Sequence, residues 1–329
     1  VNNKTVRTKL TVNPQYPGLL NQRLTVDKKK ISLWSFGKID PAKPSIIGFS
    51  GWPFSAYTLW PLMSEIPQMQ FIGIDIPGFV GYSPAISSDI TAELIGEITA
   101  KVVSKLKLQK YGFFGISAGG AYALSSYTAT TKKYGKGQNF LSMLLQGKRT
   151  FMPSFMILAA PALHGGNIAY IRDAETTKLV LQEMKKRETI IDFVYKTINT
   201  SFGKSIIREL VYRTNTELKE TGEVIDIMNG ELNKQLDSID RRALLSSAED
   251  LVHGDFRHEL KHIAVPTLFI TGEKDTIVPV EDTKEFASLT KGSSLEIVKD
   301  APHLLVITHY QEVARRIERF LNIAGIIKY

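Results

Sequence analysis

The chain contains no cysteine. That removes disulfides, thiolate metal sites, iron–sulfur clusters and a cysteine nucleophile together. It leaves the compartment open, because a large core needs no disulfide. Long apolar runs are missing too. The longest, near Phe155–Leu163, falls short of the roughly 20 residues that a membrane-spanning helix requires. With 24 Gly and 14 Pro in 329 residues, collagen-like and low-complexity material is excluded. The opening Val1-Asn-Asn-Lys lacks the apolar stretch of a signal peptide, so a cytoplasmic location is expected. Without an initiating Met, a removed leader stays open.

What is present can build a full core. Residues of the hydrophobic class make up 43% of the chain and there are 16 Phe, enough for one large domain or two small ones. The net charge is +8, and it is uneven. Residues 1–30 carry +6, and residues 127–154 carry +5 through Lys132, Lys133, Lys136, Lys148 and Arg149 with no acid. A nucleic-acid binder clusters its basic residues over a binding face with a recognisable motif. Here the excess sits in one arm and one short segment, so no nucleic-acid partner is expected.

Short apolar runs alternate with helical patterns. Leu24–Val26 and Ile31–Phe36 flank Asp27-Lys-Lys-Lys and read as a hairpin. Ser45–Phe49, Phe71–Ile74, Tyr111–Phe114, Phe155–Ala159, Thr267–Ile270 and Leu295–Val298 follow. Each is a short apolar run ended by a turn residue, as in strands buried on both faces of a parallel sheet. Between them, Leu94, Ile95, Ile98, Val102 and Leu106 form one helical stripe, and Tyr310, Val313, Ala314, Ile317, Phe320 and Leu321 another. This is α/β: a mostly parallel central sheet with helices on both faces. The alternation stops after Pro161 and resumes near Asp255. Residues 162–255 read as an all-helical insertion between two strands, and 1–161 with 256–329 as the core. Roughly 235 residues then remain for one α/β domain.

Gly115-Ile-Ser117-Ala-Gly119 carries the sharpest chemical signal. It directly follows a strand and opens a helical pattern. The five-residue match is weak alone, but small residues at a strand-to-helix turn expose a serine oxygen above the sheet. The helix N-terminus behind it offers unpaired N–H groups to an oxyanion. A phosphate-cradling loop would want Gly-x-x-x-x-Gly-Lys-Ser/Thr, which is absent. Of the six histidines, His303 lies just past the final strand, on the sheet edge that carries Ser117. His164, His253, His258 and His262 fall in or beside the insertion, and His309 starts the last helix. His303 is therefore the candidate base. Asp275 follows the strand Thr267–Ile270 and can orient it, with Glu273 and Asp300 as competitors. The order Ser117, Asp275, His303 is the hydrolase order, not either common protease order.

At this point the chain resembles the α/β-hydrolase superfamily, in its capped serine-hydrolase, esterase-like branch, over nearly its whole length. The matching pieces are Ser50-Gly-Trp-Pro, Asp75-Ile-Pro-Gly-Phe-Val-Gly-Tyr-Ser, Gly115-Ile-Ser-Ala-Gly-Gly, Gly272-Glu-Lys-Asp and Pro302-His. The insertion sits where that family places its cap. The resemblance implies a triad of Ser117, Asp275 and His303, and an oxyanion hole from the backbone N–H groups of Trp52 and Ala118. It implies no cofactor, no metal, and a carboxylic ester of a small or medium-sized molecule as substrate. The alternatives on the same parts are a C–C bond hydrolase, amidase, thioesterase or acyltransferase, or a non-catalytic ligand receptor. Two departures stand out. Capped members commonly read His-Gly-x-Pro where this chain has Ser50, and one extra residue lies around Phe79-Val80. Asp75 reads as a turn former. Within the insertion, Phe193, Tyr195, Phe202 and Tyr212 are candidates for cap core or substrate contact.

The last expectation concerns residues 130–153. Phe140, Leu141, Met143, Leu144 and Leu145 lie between the basic residues of this stretch. They are expected to pack as a short helix on the edge opposite the site. Attachment to an anionic membrane or a protein partner is the alternative. Attachment predicts salt-sensitive co-sedimentation with anionic liposomes, weakened by Lys132, Lys133 and Lys136→Glu without loss of esterase activity. No co-sedimentation at low salt removes it.

Overall fold

The computed structural model describes residues 11–12, 18–79, 82–135, 152–165 and 239–327. Among the described residues, nine strands form one sheet: β1 (Thr11–Val12), β2 (Leu19–Val26), β3 (Lys29–Phe36), β4 (Ser45–Phe49), β5 (Gln70–Ile74), β6 (Tyr111–Ile116), β7 (Met156–Ala159), β8 (Thr267–Gly272) and β9 (Ser294–Val298). Their order is β1-β2-β3-β5-β4-β6-β7-β8-β9. From β5 to β9 all neighbours are parallel, and β1–β3 join antiparallel on one side.

The hairpin is longer and tighter than the lysine run suggests. Lys29 and Lys30 pair within β3, and the turn is Asp27-Lys28 alone, both at positive φ. Two left-handed residues match the twist of paired strands better than a longer loop. The lysines could be strand residues because Lys30 is exposed and Lys29 only partly covered.

Helices cover both faces. One face holds α1 (Trp60–Ser64), α7 (Leu305–Thr308) and α8 (Tyr310–Ile323). The other holds α2 (Ala92–Leu106), α3 (Ala118–Gly135), α4 (Arg241–His253), α5 (Arg257–Leu260) and α6 (Val280–Leu289). Alternate strand residues feed the two cores: Phe114 and Ile116 of β6 face the first, Tyr111 and Phe113 the second. Helix α2 buries Ile95, Ile98, Val102 and Val103; α8 buries Val313, Ala314, Ile317 and Leu321. Both stripes follow the helical period. Thr91 caps α2 by accepting from Leu94 N, and Lys107 ends it in the left-handed region.

The ends of the 162–255 stretch lie side by side. His164 bridges Asp255 antiparallel, Gly165 N–H donates to Gly254 O at 3.1 Å, and Phe256 N–H donates to Leu163 O at 2.8 Å. The residues between, 166–238, fall outside the described ones, as do Phe193, Tyr195, Phe202, Tyr212, Val80 and most of 130–153. Within that last segment, α3 continues through Thr130 to Gly135. Among the described residues, no helix is long and apolar enough to cross a membrane.

Asp75 is not a turn former. Its carboxylate is fully buried and accepts from Trp34 Nε1 at 2.9 Å, Ser55 Oγ at 2.6 Å and Ala56 N at 2.8 Å. It ties β3 to the segment after β4, a long-range role that a local Asp-x-Pro-Gly reading cannot reveal. Burial pushes its carboxyl up to about 6, against the pull of the Ser55, Trp34 and Ala56 donors. Asp75→Asn keeps the shape but turns an amide N–H toward a donor. At neutral pH we expect a loss of about 1–3 kcal/mol in urea denaturation. The folded protein holds the proton more tightly, so the carboxyl's contribution falls as pH rises from about 4 to about 6. The wild-type margin over Asp75→Asn should narrow across that window, by no more than about 3 kcal/mol. A margin that widens there contradicts the raised carboxyl.

Candidate active site

Ser117 stands between the end of β6 and the start of α3 with φ at +55°. This left-handed conformation costs a non-glycine residue about 1–2 kcal/mol, and the surroundings hold it. Ser117 N–H donates to Ala159 O at 3.0 Å, and Ser117 O accepts from Gly120 N and Ala162 N, both at 2.9 Å. The flanking glycines are there for space. A Cβ on Gly115 would meet Gly119 O at 2.1 Å, and one on Gly119 would meet Phe49 O at 2.4 Å and Ser50 O at 2.6 Å. The side chain of Ser117 stays partly accessible.

Because β6, β8 and β9 are parallel, the chain leaves all three at one sheet edge. Ser117 follows β6, Asp275 follows β8 and His303 follows β9. His303 Nδ1 lies 2.8 Å from Asp275 Oδ2, and both side chains are buried. Asp275 Oδ1 accepts from Ile277 N and Val278 N, both at 2.9 Å. These two bonds orient the carboxylate and leave Oδ2 for the imidazole. The backbone stitches the two loops together: Glu273 N donates to Val298 O and Lys274 N to Ala301 O, both at 2.9 Å.

The competing acids point elsewhere. Asp300 pairs with Lys274 at 2.7 Å, and that ammonium holds its carboxyl below the ordinary value. Glu273 Oε2 accepts from Asp300 N at 3.0 Å. The other histidines are also apart from the pair. His164 lies 3.9 Å from Asp255, His258 Nδ1 meets Asp255 O at 3.0 Å, and His309 Nδ1 meets Thr308 Oγ1 at 2.9 Å. Burial holds the His309 imidazole below its ordinary pKa.

The loop after β4 passes beside Ser117. A Cβ on Gly51 would stand 3.3 Å from Ser117 Cβ and 3.8 Å from its Oγ. Ser50, standing where capped hydrolases commonly carry His, exchanges a 2.6 Å hydrogen bond with Thr58 Oγ1. The turn closes through Phe54 N to Gly51 O at 2.8 Å, a bond that does not use Trp52 N–H. Ala118 is the first residue of α3, so its N–H has no partner within the helix. One further contact follows no local pattern in the chain. Trp52 Nε1 donates to Ser247 Oγ on α4 at 2.9 Å, across 195 positions.

A cleft of about 780 Å³ lies elsewhere, on the flank of α2 and α3, lined by residues such as Glu93, Glu97, Lys101, Asp250 and Glu259. None of Ser117, Asp275 and His303 lines it. Three of its charged groups are engaged with protein: Lys101 with Asp27, Asp250 with Ala92 N, and Glu259 with Thr128.

No protein-family model matches the chain. A pimeloyl-[acyl-carrier protein] methyl ester esterase of Methylococcus capsulatus is 37% identical over 82 residues, 25% of this chain and 32% of that protein. The match thus spans about a third of that curated relative. Among solved structures, a thermophilic esterase from Thermogutta terrifontis superposes with TM-score 0.65 at 17% identity, covering 92% of this chain and 98% of the other. A bromoperoxidase from Bacillus anthracis superposes with TM-score 0.67 at 18% identity, covering 92% and 99%. With these likenesses over nearly the full length, and with the strand order and nucleophile-type turn, the chain has the α/β-hydrolase fold.

Proposed function

We propose that the protein is a serine hydrolase that cleaves a carboxylic ester through an acyl-enzyme. The observation that carries this reading is the left-handed Ser117 on the sheet edge that also bears the buried His303–Asp275 pair. With Nδ1 engaged by Asp275, Nε2 is the nitrogen of His303 left for the serine.

In the proposed reaction Ser117 Oγ bonds to the ester carbonyl carbon as its proton passes to His303 Nε2. The carbonyl electrons move to oxygen, and the N–H groups of Trp52 and Ala118 receive the oxyanion. The oxyanion collapses, the bond to the alcohol oxygen breaks, and His303 gives that oxygen its proton. Water then attacks the acyl-enzyme with His303 as base, and the proton returns to Ser117 Oγ as the acid departs. Asp275 holds the imidazole throughout.

Residues 162–255 are proposed as the cap, from the side-by-side outgoing and returning segments at Leu163–Gly165 and Gly254–Phe256. An ester is favoured over other acyl substrates because the named relatives include ester hydrolases. A receptor on this fold would bind without turnover.

A fluorophosphonate probe with an aryl-ester assay tests the assignment. Ser117 should be labelled, and Ser117→Ala should fold normally while kcat falls at least about a thousandfold. Retained turnover in pure Ser117→Ala protein sinks the nucleophile. Asp275→Asn should cost far more activity than Glu273→Gln or Asp300→Asn. The amide favours the wrong tautomer of His303, an effect of about 10⁴-fold in a related triad. If Asp300→Asn were the damaging change, the acid would be misassigned.

A further inference from the structure

The loop from Ser50 to Ser55 is fixed at both ends. Ser50 is tied to Thr58, and Ser55 with Ala56 to the buried Asp75. Among the described residues, the bond from Trp52 Nε1 to Ser247 is what ties the middle of this loop to another element. Ser247 is well built for that task. It is buried, and its own hydroxyl proton is directed to carbonyls of its helix, Ala243 O at 2.6 Å and Leu244 O at 3.0 Å. A hydroxyl whose proton is spent in this way has lone pairs left for an indole N–H.

Helix α4 is a firm base. Asp240 caps it by accepting from Ala243 N at 2.9 Å, and Asp240 N–H donates to Gly78 O at 2.7 Å. Ile90 N donates to Ser246 Oγ at 2.9 Å and Ala92 N to Asp250 Oδ2 at 2.7 Å. The returning end of the 162–255 stretch is thereby bonded to the segment that leads into α2. The same Cα carries the anchored indole and the Trp52 N–H, so holding one restrains the direction of the other.

We infer that Ser247 is a positioning residue for the reaction. Through the Trp52 indole, α4 sets the aim of the Trp52 N–H at the oxyanion, and so links the insertion to transition-state binding. This rests on the ester-hydrolase reading above. Removing the tether lets the N–H wander from its aim, which weakens the bond to a developing oxyanion more than the bond to a neutral carbonyl.

The test compares Ser247→Ala, Ser247→Thr, Trp52→Phe and the double variant Trp52→Phe/Ser247→Ala, in the full chain. Aryl-ester kinetics are read beside inhibition by an aryl trifluoromethyl ketone, which adds to the serine as a tetrahedral oxyanion. Ser247→Ala should lower kcat about 5- to 20-fold with KM within about twofold. Ketone affinity should weaken in parallel with kcat/KM, and Ser247→Thr should recover most of both. The double variant should be no worse than the poorer single one. The inference is overturned if Ser247→Ala keeps kcat and ketone affinity within about twofold of wild type. It is equally overturned if the two single effects multiply. Should Ser247→Ala unfold, Trp52→Phe decides, because it keeps an aromatic side chain on the same backbone while losing the indole Nε1–H that donates to Ser247. If Ser117→Ala remained active, the ester-hydrolase reading itself would fail, a result that none of the Ser247 outcomes can imitate.

Discussion

At the crossing of the β6–α3 turn and the loop after β4, backbone meets backbone with no room for a side chain. Gly119 sits against the carbonyls of Phe49 and Ser50, and Gly51 runs beside Ser117. Van der Waals contact this close does not yield to small adjustments, because both partners are main chain in a dense interior. A methyl group at Gly119 would push α3 off the edge of β4 and take Ser117 with it. The left-handed Ser117 is tolerable only because its N–H and carbonyl are fully used by β7, by α3 and by Ala162. Sheet register, serine position and loop position are thus one packing problem.

The proposed acid and base are placed by a second set of backbone contacts. The loops after β8 and β9 are laced together before their side chains meet. A buried carboxylate is costly unless its oxygens are satisfied. Two backbone N–H groups meet one oxygen of Asp275, and His303 meets the other. Glu273 and Asp300 lie only a few residues from the same pair, yet they spend themselves on Lys274 and on a loop N–H at the surface. What separates the acids is burial and backbone direction, since their side-chain chemistry is alike.

Much of this was legible in the chain itself. The parallel strands β4 to β8 announce themselves as four- to six-residue apolar runs because both faces are buried, whereas the edge strand β9, read the same way, leaves Ser294 and Ile297 exposed; the stripes of α2 and α8 show because one face is buried. Ser117 and His303 stand out because a strand–turn–helix and a post-strand loop are local patterns. Asp75 was misread as a turn residue because its partners Trp34 and Ser55 lie 41 and 20 positions away. The Trp52–Ser247 bond spans 195 positions, and neither residue belongs to a pattern that periodicity can detect. Lys29 and Lys30 concealed a strand start, since charge at an exposed position tells nothing of backbone pairing.

The division between core and insertion follows the same line. Contacts that fix the proposed reacting groups are short-range in space and mostly main chain, so they depend on few side-chain identities. Contacts that reach from α4 to the core are made mostly by the side chains of Ser246, Ser247 and Asp250, beside one main-chain bond from Asp240 N to Gly78 O. A main-chain frame can stay constant while the insertion varies; a side-chain link cannot. Any change that moves α4 along its axis must therefore move Trp52 or break its bond. In this arrangement the placement of α4 and the geometry of the loop after β4 are not independent variables.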